Sequence, residues 1–271
     1  MNKTTMRCSV LASGSTGNAV YVEAGDTRIL VDAGIGWRQL DGALKGISVA
    51  GVDLDALLVT HEHSDHIKSV GSIVKKWKLP VYTSEGTWSH LSKLFLEDDP
   101  VLPRTIRSGT PFSLGEIVVE PFSLSHDAEE PLGFCFYSGE EKMVLATDLG
   151  YVSDKIKSMT KGAHTYIIET NHDVEMLRAG PYPWHLKRRI LGDKGHLSNG
   201  SAAEYLQDVI TEQTEHVYLA HLSEHNNRPD LARETLSQAL SSHQYPFYER
   251  VSLHHTSPKQ ATELRSVREA Q

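Results

Sequence analysis

The sequence predicts an α/β fold with two mixed β-sheets and helices outside them. Apolar segments typical of strands alternate with helical patterns from end to end, and a strand–helix–strand unit occupies residues 56–83. Between residues 105 and 147 the pattern changes to short strands joined by close turns. The two patterns together indicate two sheets rather than one.

The predicted strands are short runs rich in Val, Ile, Leu and aromatic residues. They span residues 7–12, 19–23, 28–33, 56–60, 79–83, 117–122, 134–138, 143–147, 165–169 and 216–220. The predicted helices span residues 67–77, 153–159, 184–191, 199–211 and 229–240. Nothing in the composition marks a linker, so we expect one domain over residues 1–271 with a flexible C-terminal tail after about residue 257.

Length and composition exclude several classes of protein. A chain of 271 residues with 39% hydrophobic residues can bury a sizeable core, which argues against disorder. No stretch approaches the roughly 20 apolar residues that cross a bilayer, and the first residues are too polar for a signal-peptide core. We therefore expect a cytoplasmic protein with no membrane contact and no obligate protein partner. Cys8 and Cys135 each lie in a strand-like run, which argues against a disulfide framework and a cysteine-based zinc site.

The charge of the chain limits how it could bind nucleic acid. A net charge of −8 argues against a general basic surface that coats nucleic acid, because such binding depends on Lys and Arg. A local site for a polyanion remains compatible with that charge. The unusual feature of the composition is its 15 histidines, several of which lie close together in the chain.

A dense group of metal-binding residue types follows the predicted strand 56–60. The ligand types are His61, His63, Asp65 and His66, all within one short segment. Imidazole and carboxylate together suit zinc, iron or manganese. The alternative is a chance cluster of histidines on a solvated loop, which this close spacing makes improbable. The segment therefore predicts a metal site with room for two ions.

Three residues in the second half of the chain complete a set of ligands for two metals. His126, Asp148 and His221 each follow a predicted strand, where a rigid element can hold a side chain in place. A carboxylate has two oxygens, so Asp148 could bridge two cations. Taken singly, each residue would fit better as a cap or a surface group. Their shared position at strand ends favours the metal site.

The motif His-x-His-x-Asp-His at residues 61–66 and the later strand-end ligands resemble those of the metallo-β-lactamase fold. Asp32, at the end of the third predicted strand, also fits this family, and the resemblance covers nearly the whole chain. It implies an αβ/βα sandwich that binds two divalent metal ions. The implied ligands are His61, His63 and His126 for one metal and Asp65, His66 and His221 for the other, with Asp148 bridging them. Flavodiiron oxidoreductases of this fold carry Glu at the position of His63, so hydrolysis is favoured over oxygen reduction.

Shorter segments are similar to one bacterial subgroup of this superfamily, the YycJ/WalJ subgroup. They lie at residues 13–18, 147–150, 169–173, 195–199 and 221–227. The resemblance implies a cytoplasmic phosphodiesterase that acts as a 5′→3′ exonuclease on double-stranded DNA. The metals, whether zinc, manganese or iron, would act through a hydroxide that bridges them.

Two residues are candidates for catalysis beyond metal binding. Asp65 is placed to orient the attacking hydroxide. His196 follows a glycine and precedes a predicted helix start, so we expect it to donate a proton to the leaving oxygen or a hydrogen bond to the phosphate. The alternative for His196 is an exposed histidine beside a plain helix cap.

Candidate substrate-binding residues lie in the same part of the chain. Their polar or basic side chains could contact phosphates: they are Asn171, His172, Ser198, Lys187, Arg188 and Arg189. For the basic run at 187–189 the alternative is a solvated helix face. Ser198 or its neighbour could equally serve only as a helix cap.

Two other functions compete with the DNA phosphodiesterase. The first is a small-molecule hydrolase of the thioesterase or lactonase type, which would need an apolar pocket rather than a basic one. The second is a non-catalytic metal-binding protein, which would normally lack at least one ligand. The basic run and the complete set of seven ligands favour a metal-dependent hydrolase, and among these a nuclease.

Overall fold

The computed structural model describes residues 5–99, 101–242 and 248–269. The predicted α/β class is confirmed, because its strands belong to two mixed sheets with helices outside them. The chain divides into two compact units. One comprises Met1–Ser123, Ala128–Glu140 and Thr256–Ser266, and the other comprises Leu124–Asp127, Glu141–His255 and Val267–Gln271. The organisation as one domain stays a prediction.

The first unit contains one complete sheet. Its strands are β1 Met6–Ala12, β2 Ala19–Ala24, β3 Thr27–Val31, β4 Ala56–Leu58, β5 Pro80–Thr83, β6 Leu102–Thr105 and β14 Arg265–Ser266. The order is β14-β1-β2-β3-β4-β5-β6, with antiparallel pairs up to β3 and parallel pairs from β3 to β6. The same unit has an antiparallel ladder of β7 Phe112–Leu114, β8 Ile117–Ser123 and β9 Leu132–Ser138.

Helices of the first unit cover the sheet with their apolar faces. They are α1 Trp37–Gly46, α2 Ser64–Ile67, α3 Val70–Trp77 and α4 Glu85–Leu91. Leu40 and Leu44 of α1 and Ile73 and Val74 of α3 are fully buried in one core with residues of β3 and β4. Each such side chain contributes about 1.5–3 kcal/mol by burial, so this core holds the loop that follows β4 in place.

The helix predicted over 67–77 is in fact two helices, α2 and α3. In a continuous helix the backbone N–H of Ser69 would donate to the carbonyl of Asp65. Here that carbonyl accepts from the backbone N–H of Asn18 at 2.8 Å, and Ser69 donates to the carbonyl of Ala33 at 2.8 Å. The break therefore ties the metal-binding motif to two other strand-end segments.

The second unit is built on four parallel strands. These are β10 Glu141–Ala146, β11 Thr165–Glu169, β12 His216–Ala220 and β13 Ser252–His255, and they pair in that order. The helices are α5 Asp154–Thr160, α6 Val174–Ala179, α7 Trp184–Ile190, α8 Asn199–Val209 and α9 Pro229–Ser242. Side chains that follow adjacent parallel strands meet at one edge of the sheet. That edge carries the candidate residues of this unit.

No helix within the described residues is long and apolar enough to cross a membrane.

Gly34 allows the close approach that fixes the metal-binding motif. A Cβ at this position would lie 1.6 Å from the carbonyl oxygen of Asp65, so Gly34→Ala should force the backbone apart. We expect the melting temperature to fall by about 5 °C or more, as overpacking in a tight site does. Gly36→Ala is the matched control, because no atom lies within 4 Å of its Cβ. Equal melting temperatures for the two variants, measured by circular dichroism, would contradict this role of Gly34.

Candidate metal centre

The motif after β4 gathers three imidazoles within the first unit. Nε2 of His61 lies 3.1 Å from Nδ1 of His63, and the ring centroids of His61 and His66 are 4.1 Å apart. His61 and His66 are fully buried, whereas His63 and Asp65 are half-buried. The predicted ligands of this segment are therefore close neighbours.

A buried carboxylate orients one of these histidines. Oδ2 of Asp32 lies 2.7 Å from Nδ1 of His66, and Asp32 also accepts hydrogen bonds from the backbone N–H and the hydroxyl of Thr60. A carboxylate on one ring nitrogen fixes the tautomer and leaves the other nitrogen for a metal. Nε2 of His66 is thus the nitrogen that could bind a cation.

Asn18 holds the acidic member of the motif. Its backbone N–H donates to the carbonyl of Asp65 at 2.8 Å, and its side-chain amide lies 3.3 Å from Oδ2 of the same residue. The amide also lies 3.1 Å from Nε2 of His66. The loop between β1 and β2 therefore supports the motif directly.

The second unit brings the remaining predicted ligands around Asp148. Oδ1 of Asp148 lies 3.4 Å from Nε2 of His221, 3.9 Å from Nε2 of His126 and 3.7 Å from Nδ1 of His196. One donor atom from each of Asp148, Glu169, His196 and His221 falls within a group no wider than 4.8 Å. Such a mixed carboxylate and imidazole set fits a divalent first-row metal.

Glu169, at the end of β11, is a functional residue that the sequence reasoning missed. Its carboxylate is fully buried and accepts hydrogen bonds from the backbone N–H groups of Leu149 and Leu197, each at 3.0 Å. Its other oxygen lies 2.7 Å from Nδ1 of His196 and 2.9 Å from Nδ1 of His221. Both oxygens of Glu169 are therefore engaged within the protein, and its carboxylate is placed to orient two histidines.

The electrostatics of this cluster shift the pKa values of its histidines in opposite directions. Burial opposes ionisation of Glu169, but attraction to His196 and the hydrogen bonds from His196 and His221 lower the pKa of its carboxyl. Burial alone would lower the pKa of His196, yet the Glu169 carboxylate outweighs it and raises that pKa. Burial lowers the pKa of His126, which keeps its imidazole neutral as a metal ligand must be.

Three of the candidate residues have left-handed backbone conformations. Asp32, Asp148 and His221 have φ angles of 60°, 62° and 54°, and each lies within two residues of the end of its strand. This conformation costs a non-glycine residue roughly 1–2 kcal/mol, and it tends to occur at functional sites. The sharp bend turns each carboxylate or imidazole away from its strand direction.

The predicted substrate residues that follow β11 have different contacts. The amide of Asn171 donates to the backbone carbonyl of His221 at 2.9 Å, so it supports that candidate ligand. His172 is buried, and neither ring nitrogen has a hydrogen-bond partner among the described residues. The Ser198 hydroxyl accepts from the backbone N–H of Ser201 as the cap of α8. Of these, His172 is the residue with buried ring nitrogens left without a hydrogen bond among the described residues.

The basic run on α7 is not uniformly available to a ligand. Lys187 is buried, and its ammonium donates to the carbonyls of Arg178 and Gly180 at 2.6 and 2.7 Å. Those bonds give Lys187 a structural role. Arg189 is exposed and pairs with Asp127, whereas Arg188 is exposed without an ion-pair partner within the described ranges.

Comparison with known proteins identifies the family. A sequence model of a protein family, described as a beta-lactamase superfamily domain, matches residues 27–222. The chain is 46% identical over 260 residues to the exodeoxyribonuclease YycJ of Bacillus anthracis, which covers 96% of this chain and 98% of that protein. It is 39% identical over 269 residues to the exodeoxyribonuclease WalJ of Streptococcus pneumoniae strain D39, covering 98% of this chain and 100% of that protein.

A solved structure agrees with the fold. The metallo-β-lactamase fold protein YhfI from Bacillus subtilis has a TM-score of 0.73 and 19% identity, covering 96% of this chain and 99% of that one. The predicted metallo-β-lactamase fold class is confirmed, as is the prediction of an enzyme, a metal-dependent hydrolase. The chain belongs to the β-lactamase superfamily, in the subgroup of YycJ and WalJ.

Proposed function

We propose that the protein is a dinuclear phosphodiesterase that removes nucleotides from DNA as a 5′→3′ exodeoxyribonuclease. The observation that carries the chemistry is the Glu169–His196 pair beside Asp148 and His221. A phosphodiester releases an alkoxide that needs a proton, and His196 is an imidazole whose raised pKa keeps one available. The exodeoxyribonuclease names of the relatives support DNA as the substrate.

The proposed metal ligands come from both units. One cation would be held by His61, His63 and His126, the other by Asp65, His66 and His221, with Asp148 bridging. The contacts within each unit support this set of ligands. Carboxylates lie at hydrogen-bond distance from Nδ1 of His66 and of His221, which leaves Nε2 of each ring for a metal. Two bound divalent ions, whether zinc, manganese or iron, would acidify water and neutralise charge on the phosphoryl group.

The chain's own residues would position the reactants. Asp65 would accept a hydrogen bond from the attacking water and so fix its direction. His196 would donate a hydrogen bond from Nδ1 to the carboxylate of Glu169, which leaves its Nε2–H to protonate the leaving oxygen. The hydrogen bond to Glu169 stabilises the imidazolium before the proton leaves. His172, whose low pKa from burial keeps it neutral, would donate or accept a hydrogen bond at the substrate.

The DNA backbone would contact exposed basic residues on α7. Arg188 is the main candidate, and Arg189 could exchange its bond to Asp127 for a phosphate. Lys187 would act indirectly, by fixing the segment before α7 through its bonds to two carbonyls. A cytoplasmic location and the absence of an obligate protein partner stay predictions.

The direct test reconstitutes metal-free protein with zinc, manganese or iron and supplies end-labelled duplex DNA, single-stranded DNA and RNA. We expect stepwise loss of nucleotides from 5′ ends of duplex DNA. Asp148→Ala should abolish turnover and lower bound metal from two equivalents toward one, because two cations without a bridging carboxylate repel each other. Asp154→Ala, at an exposed position of α5, is the matched control. Hydrolysis of a thioester or lactone without any cleavage of DNA would favour the small-molecule hydrolase instead.

Glu169→Gln tests whether the buried carboxylate positions a ligand. A neutral amide cannot accept from both imidazoles and both backbone N–H groups, so His221 should lose its fixed tautomer. We expect metal affinity to fall by about 10- to 100-fold in a chelator competition assay. Glu175→Gln, at an exposed position of α6, should leave the affinity unchanged. Equal metal affinities for the two variants would show that Glu169 does not orient the ligand.

His196→Ala tests the proton donor. General acid catalysis is typically worth about 10² to 10⁴ in rate, and that loss should appear only when the leaving group needs a proton. We expect kcat to fall by that factor for a phosphodiester with an alkoxide leaving group and to fall much less for a nitrophenyl ester. The amount of bound metal and the melting temperature should stay unchanged. An equal loss on both substrates would assign His196 to phosphate binding.

A further inference from the structure

A cavity in the first unit opens beside the metal-binding motif. Its volume is about 450 Å³, which lies within the range of about 300–1,000 Å³ for small-ligand sites. Polar and apolar side chains share its wall, among them Ser15, Thr16, Asp65, Lys68 and Leu94. Because Asp65 belongs to the proposed metal centre, a ligand in this cavity would lie next to the reacting phosphate.

The loop between β1 and β2 presents two hydroxyls to this cavity. Ser15 and Thr16 are exposed at its tip, while Gly17 and Asn18 are buried at its base. Asn18 is bonded to Asp65, and a Cβ on Gly17 would lie 2.6 Å from the carbonyl oxygen of Gly34. The base of the loop is therefore fixed against the motif, and the two hydroxyls belong to the exposed residues next to that base.

Lys68 supplies the positive charge of the cavity. It lies at the break between α2 and α3, is exposed, and has no ion-pair partner within the part of the chain that the structure describes. The carboxylate of Glu62, which also lines the cavity, already accepts from the backbone N–H of Glu129 at 2.8 Å and lies 3.4 Å from the hydroxyl of Thr87. Lys68 is thus a cationic side chain of the cavity that forms no ion pair with the described residues.

Two aliphatic side chains line the same cavity as these polar groups. Leu94 is 42% exposed although it is a large hydrophobic residue, and Ile67 is half-buried. Both line the cavity. A ligand that matches the site has an anionic group for Lys68 and the hydroxyls and a less polar body for the two aliphatic side chains.

We propose that this cavity is a subsite for one nucleotide of the substrate strand, an inference that rests on the proposed function. Lys68 and the hydroxyls of Ser15 and Thr16 bind its phosphate as positioning contacts. Leu94 and Ile67 contact its sugar or base. The bound nucleotide is the neighbour of the phosphodiester that is cleaved.

Binding of thymidine 5′-monophosphate to the metal-loaded protein, measured by calorimetry, tests the subsite. We expect Lys68→Ala to raise the Kd for this nucleotide about tenfold, since one charge-assisted hydrogen bond is lost. Lys68→Arg should retain most of the affinity, and the double variant Ser15→Ala, Thr16→Val should weaken it about fivefold. Lys45→Ala, which removes an exposed lysine on α1, is the matched control and should change nothing.

Two results would overturn the subsite. One is an unchanged Kd in both cavity variants with normal melting temperatures, which would mean that the nucleotide binds at the metals alone. The other is inorganic phosphate binding as tightly as the nucleotide, which would leave no role for the two aliphatic side chains. Parallel assays on end-labelled DNA separate the two proposals. If the protein cleaves DNA but the cavity substitutions do not change the Kd for the nucleotide, the exonuclease proposal stands and the subsite is wrong. If the substitutions raise that Kd but no DNA is cleaved, the subsite stands and the exonuclease proposal is wrong.

Discussion

A buried carboxylate lies on one ring nitrogen of a candidate metal-binding histidine in each unit, and such a contact orients the imidazole and favours one tautomer. Asp32 lies 2.7 Å from Nδ1 of His66, and Glu169 lies 2.9 Å from Nδ1 of His221. In both cases the remaining nitrogen, Nε2, is the one left for a cation. The same solution appears at the end of β3 in one unit and at the end of β11 in the other. The candidate ligands depend on these two carboxylates as much as on their own positions.

Burial of a carboxylate is costly unless its oxygens are fully hydrogen-bonded. Glu169 meets that condition because the residues that follow β10 and those that precede α8 lie beside the end of β11. Leu149 follows β10 and Leu197 precedes α8, and each gives a backbone N–H to the same oxygen. The imidazoles of His196 and His221 share the other oxygen. Two backbone donors thus hold the anion, and the anion in turn raises the pKa of His196.

Hydrophobic patterning predicted the buried strands well and the exposed ones poorly. β11 and β12 have the predicted bounds, because each residue of both strands is buried and a short apolar run of that length is typical of a buried strand. β6 was missed because all four of its residues are exposed. The break between α2 and α3 could not be predicted, since it depends on a bond from Asn18, distant in sequence. The burial of Lys187 was also not predicted, because its bonds to the carbonyls of Arg178 and Gly180 depend on how the chain turns before α7.

Candidate metal ligands could be named from the sequence because chemistry restricts them to a few residue types, but the residues that orient them could not. Glu169 is the last residue of its strand, and nothing local marks it as the acceptor for two histidines. The left-handed conformations of Asp148 and His221 are equally invisible, since neither residue is glycine. Each bend costs roughly 1–2 kcal/mol that the unit must offset elsewhere. Each bend follows a strand that pairs in the parallel sheet, β10 for Asp148 and β12 for His221. A site of this kind therefore requires a buried sheet first, and the reactive residues follow where its strands stop.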